Sequence, residues 1–171
     1  EGVGLSKNLS ENLEAITFLI FIGVFACVLW LICKRILRVV FVRISKKTIS
    51  KLDDYLIINK IPETLSYFPS LFFLMSFVKP ALYSFPSMIK LSESLLNVFG
   101  AVLTIVLVRR LLNALKDFLK TLKNFKDKPI DSYIQVIMIF VWFIGVLLIF
   151  SILSGKDIGT FLATMGALSA L

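Results

Sequence analysis

The feature that most constrains this chain is a run of nineteen residues, 15–33, without a single charged side chain. A second uncharged run, residues 133–153, is twenty-one residues long. A helix needs about 20 apolar residues to cross the hydrocarbon core of a bilayer. Because irregular backbone cannot face lipid, such runs predict transmembrane helices. We therefore predict an all-α, polytopic helical membrane protein.

The composition favours a membrane location over a soluble domain. Apolar residues make up 58% of the chain, whereas soluble domains contain about 45–50%. The net charge of +8 could indicate nucleic-acid binding, but the cations lie next to hydrophobic runs. Of the 19 lysines and arginines, eight lie within 34–60 and seven within 109–128. Cations in such positions set membrane topology and contact headgroups, so we predict phospholipid partners and no nucleic acid.

The hydrophobic pattern predicts five transmembrane spans. They are residues 15–33, 64–85, 94–108 and 133–153, followed by a last span that starts within 155–171. The second span is irregular because Pro69 and Pro80 interrupt it, so a re-entrant hairpin is an alternative. The remaining segments are a polar periplasmic lead at 1–13 and two basic helical extensions at 34–61 and 109–130, so that 14–154 forms a four-span unit.

Short polar signals mark the ends of these spans. Ser92 and Glu93 predict the N-terminus of the third span, with acid in its first turn. Asp131 is predicted to cap the fourth span, and Asp157, after the turn at Gly155, is predicted to cap the fifth.

The positions of the basic clusters predict the orientation. Lysine and arginine are enriched in cytoplasmic loops, so both clusters should lie on the cytoplasmic side. An even number of crossings then separates them, so the second and third spans both cross or neither does. The third span is apolar enough to cross alone, so we predict that both cross. The N-terminus is therefore predicted to be periplasmic, and the last span enters from outside.

Side chains with catalytic or metal-binding capacity are scarce. The chain has no His, and the carboxylate pair Asp53–Asp54 lies among lysines, where a solvated role is expected. Lys79 is the one ionisable residue predicted inside a span, and we expect its ammonium to snorkel outward. A cation-coupled transporter would keep acidic residues within its spans. We therefore predict no enzyme, no catalytic residue and no metal or cofactor site.

The last stretch is rich in small residues that share one helix face. They stand at i, i+4, i+7, i+8 and i+11, namely Gly159, Ala163, Gly166, Ala167 and Ala170. Such a face lets helix backbones approach closely inside a membrane. Two interpretations stay open. One is ordinary packing within a bundle, and the other is a pore in which copies of this helix surround a narrow apolar lumen that gates by dewetting.

The sequence resembles the small-conductance mechanosensitive channel (MscS-like) family. Residues 162–171, Leu-Ala-Thr-Met-Gly-Ala-Leu-Ser-Ala-Leu, are similar to the Gly/Ala-rich opening of that family's pore helix, which is entered from a short outer turn such as 155–157. Residues 50–58 are similar to the Asp-Asp-x-Leu segment that follows the first span in the five-span, miniconductance-type (YbdG-like) branch.

This resemblance implies a mechanosensitive ion channel subunit that opens a weakly selective pore under membrane tension. It implies a homoheptamer in a bacterial inner membrane, with permeating ions passing the last helix and the other spans forming a lipid-facing paddle. It also implies a continuation beyond residue 171. Ser169 and Ala170 stand where that family often has a glycine and a bulky gate residue, so this sequence does not locate the constriction.

The basic residues that end the first and third spans are the predicted headgroup contacts. They are Lys34, Arg35, Arg38, Arg109 and Arg110. Two other functions stay open. One is a secondary transporter or permease, although inverted repeats typical of transporters are not visible. The other is a membrane anchor for a further domain.

Overall fold

The chain is described by a computed structural model that covers residues 2–47, 52–83, 85–122, 125, 128–157, 159–160, 163 and 166. It contains the helices α1 (Gly2–Lys47), α2 (Leu52–Ile58), α3 (Ile61–Leu65), α4 (Tyr67–Ala81), α5 (Pro86–Thr121) and α6 (Ile130–Ser154). No β-strand occurs among the described residues. The all-α prediction is confirmed for this part of the chain.

Four stretches of helix are long and apolar enough to cross a bilayer. Within the described residues they are Leu13–Lys46, Ile61–Ala81, Pro86–Thr121 and Ile130–Ser154. They overlap the first four predicted spans. Most of the fifth predicted span lies outside the described residues. The described residues Gly159, Thr160, Ala163 and Gly166 within it are helical.

The four long helices form an open row of antiparallel neighbours. In the described part of the chain, α1 packs on α4, α4 on α5, and α5 on α6, whereas α6 makes no extensive contact with α1 or α4. The pairing of Phe25 with Phe73, whose ring centres lie 4.8 Å apart, belongs to the first of these interfaces. The short helices α2 and α3 lie at one end of the row, between α1 and α5.

Close backbone approach brings neighbouring helices together in two places. A Cβ added at Gly145 of α6 would clash with the side chain of Ile105 on α5. A Cβ added at Gly100 of α5 would lie 3.2 Å from Leu71 Cδ2 on α4. The hydrophobic effect does not drive helices together inside lipid. Close packing at small residues, such as these two glycines, stabilises the contact between helices instead.

The surface of the row is broadly apolar and exposed. Phe21 of α1 and Ile139 of α6 are each 67% exposed. In water, each exposed Å² of this surface would cost about 25 cal/mol relative to burial. Acyl chains remove that cost, so the exposed faces fit a lipid environment.

The second span is a broken helix that nevertheless runs from one end of the row to the other. Pro69 has no N–H to donate to the carbonyl of Leu65 four residues earlier, and the helix is interrupted at Ser66, between α3 and α4. Beyond this break α4 continues to Ala81, antiparallel to α5. The chain therefore does not turn back as a re-entrant hairpin would.

Two of the predicted helix starts are wrong. Helix α5 begins at Pro86, ahead of the Ser92–Glu93 signal, because proline suits the first turn of a helix. Helix α6 has Pro129 at its N-cap and no capping bond from a side chain. Asp131 instead lies 2.7 Å from the Lys120 ammonium, so an ion pair to α5 takes the place of the predicted cap.

Candidate functional site at the basic end of the row

The end of the row where α2 and α3 meet α1 and α5 is called the basic end. Its described cations include Lys34, Arg35, Arg38, Lys60, Arg109 and Arg110. The opposite end is called the far end and contains Lys79 and Glu93. These two side chains form an ion pair of 2.8 Å between α4 and α5. Lys79 thus has a carboxylate partner, which the sequence did not predict.

Arg38 joins α1 to α3 at the basic end. Its guanidinium lies 2.6 Å from Glu63 Oε1. The Arg38 side chain is 62% exposed, so this pair contributes little, between about 0 and 1 kcal/mol. The predicted headgroup contact of Arg38 stays a prediction, and within the described residues its guanidinium is paired with Glu63.

Arg110 holds the turn between α2 and α3. Lys60 has a φ of 58° in this turn, a left-handed conformation that is uncommon for lysine. Arg110 Nη1 donates to the Lys60 carbonyl at 2.8 Å and also to Thr64 Oγ1. Thr64 is 1% exposed, and its hydroxyl in turn donates to the Lys60 carbonyl at 3.1 Å. The Lys60 carbonyl also accepts from the Thr64 backbone N–H at 3.2 Å, so Arg110 adds a charged donor that ties this turn to α5.

A groove of about 350 Å³ opens beside this turn, between the end of α2 and the face of α5. It is called the basic groove and is lined by Ile58, Asn59, Lys60, Val106, Arg109, Arg110 and Asn113. This lining has three cations and, among the described residues, no carboxylate. The nearby Asp117 accepts a hydrogen bond of 3.2 Å from Asn59. Three cations in the lining, against one carboxylate near its edge, give the groove an excess of positive charge.

An aromatic pair lies close to the basic end. Trp30 of α1 stacks on Tyr67 of α4 with ring centres 5.3 Å apart. The Lys34 ammonium lies 5.1 Å from the centre of the Trp30 ring, within the range of a cation–π interaction. Trp and Tyr are enriched at membrane–water interfaces, with lysine beside them at headgroup level. The position of this pair, at the start of α4, fits the level at which a hydrocarbon core would end.

An uncharged crevice lies between α1, α4 and α5, away from the basic end. Its volume is about 250 Å³. The lining residues are Leu19, Ile22, Gly23, Leu74, Val78, Ser92, Leu95 and Leu96. Its lining is apolar except for Ser92, which suits a hydrocarbon chain.

The predicted small-residue face is described only in part. Helix α6 ends at Gly155, whose φ of 65° is left-handed. Asp157 then accepts a hydrogen bond of 3.1 Å from the Gly159 backbone, as expected of a capping side chain. Gly159, Ala163 and Gly166 are exposed helical residues, whereas Ala167 and Ala170 lie outside the described residues.

The sequence predicted five cationic headgroup contacts, but it did not predict the protein groups that three of these cations contact. Lys34, Arg38 and Arg110 contact Trp30, Glu63 and Thr64 respectively. Arg35 and Arg109 are exposed. Lys60 and Glu63 were not singled out, although their positions flanking Pro62, just before a span, could have signalled a turn.

Within the described residues, no group of three or more His, Cys, Asp or Glu side chains is placed to hold a metal ion. Comparison with protein-family models, curated proteins and solved structures found no match to this chain.

Proposed function

We propose that this chain is the tension-sensing membrane part, with the start of the pore helix, of a mechanosensitive ion channel subunit. In this proposal several subunits, seven by the resemblance, place the helices that begin within 155–171 around a weakly selective pore. The subunit lies in a bacterial inner membrane with its N-terminus in the periplasm. Opening under tension releases solute during osmotic stress.

The observation that carries the proposal is the open row of α1, α4, α5 and α6. In a closed four-helix bundle every helix turns one face to a shared central core, whereas α6 in the described part of this chain packs on α5 and makes no extensive contact with α1 or α4. The exposed surface of the row is broadly apolar. Tension favours the state of larger membrane area, and it acts only in proportion to the area difference. A row of helices can tilt and spread without breaking a central core, which supplies such a difference.

The distribution of charge supports a lipid-facing sensor more than a transport path. The ion pairs between long helices lie near the ends of the row, at Lys79–Glu93 and Lys120–Asp131. A coupled transporter would place ionisable groups near the bilayer midplane. Next to the far-end pair, the crevice between α1, α4 and α5 is lined by uncharged residues. No specific observation favours a membrane anchor.

Survival of osmotic downshock provides the test. The full-length protein is produced in bacterial cells that lack their own mechanosensitive channels, and insertion is verified in isolated membranes. Rescue of viability after a sudden drop in osmolarity, with release of small solutes, supports the proposal. Membrane insertion at normal levels without any rescue would count against it. Uptake of a substrate driven by an ion gradient would favour the transporter.

A further inference from the structure

We infer that the basic groove binds the phosphate-bearing headgroup of an anionic membrane lipid. The inference deepens the proposed function, on which its role in gating rests, by naming the lipid that the sensor holds. Lipid binding itself depends only on the chain lying in a membrane.

The groove carries an excess of positive charge. Lys60, Arg109 and Arg110 all line it, and the lining contains no carboxylate among the described residues. Glu63 is paired with the Arg38 guanidinium. Asp117, whose carboxylate accepts a hydrogen bond from Asn59 of the lining, offsets at most one of the three cations. Clustered cations beside a hydrophobic span attract anionic lipid, at about 1 kcal/mol for each Lys or Arg near the surface.

Part of the groove wall is fixed before any ligand arrives. One Arg110 nitrogen donates to the Lys60 carbonyl and to the Thr64 hydroxyl, which ties the left-handed turn at Lys60 to α5. The Arg110 guanidinium and the Lys60 backbone are therefore held in place, whereas Lys60 and Arg109 are exposed. A guanidinium carries five donors, so Arg110 retains others for a phosphate oxygen. Asn113 adds an amide to the same wall.

The position of the groove along the helices also fits a lipid headgroup. Thr64, which anchors Arg110, precedes Tyr67 of the aromatic pair by three residues, or about 4.5 Å of helix rise. The groove thus lies just beyond the end of the hydrocarbon core, where lipid phosphates are found. Ile58 and Val106 supply an apolar edge, and Ile58 is 66% exposed. A headgroup in the groove could therefore extend its acyl chains along apolar surface.

These three features favour a lipid over a soluble anion. A free phosphate would gain from the cations but would leave the exposed Ile58 uncovered. A phospholipid satisfies both, because its charged and apolar parts are adjacent. A zwitterionic lipid carries a compensating cation and gains less from a groove without a carboxylate.

Native mass spectrometry of the full-length protein in detergent tests the inference. The protein is titrated with phosphatidylglycerol and, separately, with phosphatidylcholine. The test variant combines Lys60→Gln and Arg109→Gln, which removes two cations of the groove and leaves the structural Arg110 in place. The matched control combines Arg43→Gln and Lys46→Gln, two exposed cations of α1 outside the groove lining.

We expect the native protein and the control to prefer phosphatidylglycerol. The groove variant should bind it about 25-fold more weakly, from about fivefold for each cation removed. An equal loss in both variants, or no preference between the lipids, would overturn the inference. Displacement of the lipid by millimolar inorganic phosphate would also overturn it and indicate a site for a soluble anion.

The readout separates this inference from the proposed function, because lipid binding is counted without any conductance. If a variant loses lipid binding in the groove but still opens under tension, the lipid site has no role in gating. Intact binding in a protein that never conducts would overturn the channel proposal and leave the lipid site standing.

Discussion

Lys79 of α4 and Glu93 of α5 form an ion pair of 2.8 Å at the far end of the row, opposite the basic cluster. The pair explains how a lysine next to Pro80 is accommodated in an apolar span. At the other end of the row, Thr64 of α3 contacts Arg110 of α5. The two contacts together define the antiparallel register of the second and third spans.

Reversing one charge of this pair should weaken the α4–α5 interface. Lys79→Glu places two carboxylates together, and we expect a loss of about 1 kcal/mol because both side chains are partly exposed. Adding Glu93→Lys should restore most of that loss. Thermal unfolding in nanodiscs measures both. Losses that simply add in the double variant would show that the side chains do not interact.

Filling the contact between α5 and α6 should be more damaging. A Cβ at Gly145 would overlap Ile105, so Gly145→Ala should cost about 1–3 kcal/mol. Ile105→Ala in the same chain should relieve the overlap and recover part of the loss. The control is Gly23→Ala, where an added Cβ has no neighbour within 4 Å and a gain of about 0.5–1 kcal/mol is expected from helix propensity. Similar melting temperatures for Gly145→Ala and Gly23→Ala would contradict this packing.

Arg109 and Arg110 are neighbours with different roles, so substitutions at the two positions should differ in their effect on stability. Arg110→Gln removes the charged donor to Lys60 and Thr64, so we expect a loss of about 1.5–3 kcal/mol in lipid-free detergent. Arg109→Gln changes an exposed cation and should stay within about 0.5 kcal/mol. Denaturation curves of the two variants provide the comparison. Equal destabilisation by both would refute the assignment of Arg110 to the turn.

Orientation is measured by labelling single cysteines in intact cells. In a background with Cys27 and Cys33 replaced by Ala, a cysteine at Tyr83 should react with a membrane-impermeant maleimide from outside. A cysteine at Lys46 should react only after permeabilisation, because the basic end is expected in the cytoplasm. The reverse pattern would place the N-terminus inside.

The fold was predictable where the signal was hydrophobic length. The uncharged runs within α1 and α6 are each long enough to cross a bilayer, and this length alone predicts a transmembrane helix. The helix starts were less predictable, because proline competes with polar capping residues. Pro86 starts α5 ahead of Ser92, and Pro129 displaces Asp131 from the cap of α6.

The candidate site was predictable only as a cluster of charge. The sequence indicated Arg109 and Arg110 as headgroup contacts, but the two look alike in a one-dimensional pattern. Their difference arises from the turn at Lys60, which brings a carbonyl and a hydroxyl from fifty and forty-six residues earlier in the chain to Arg110. Such long-range contacts leave no periodic trace in the sequence.

The central claim is that the open row senses tension for a pore, and patch recording of the full-length protein tests it most directly. Membrane patches from cells that lack other mechanosensitive channels are stretched by stepwise suction while current is recorded. We expect a conductance with little ion selectivity that appears at a reproducible tension and closes on release. A protein that is verified in the patch membrane and yet passes no current up to the tension of membrane rupture would contradict the claim.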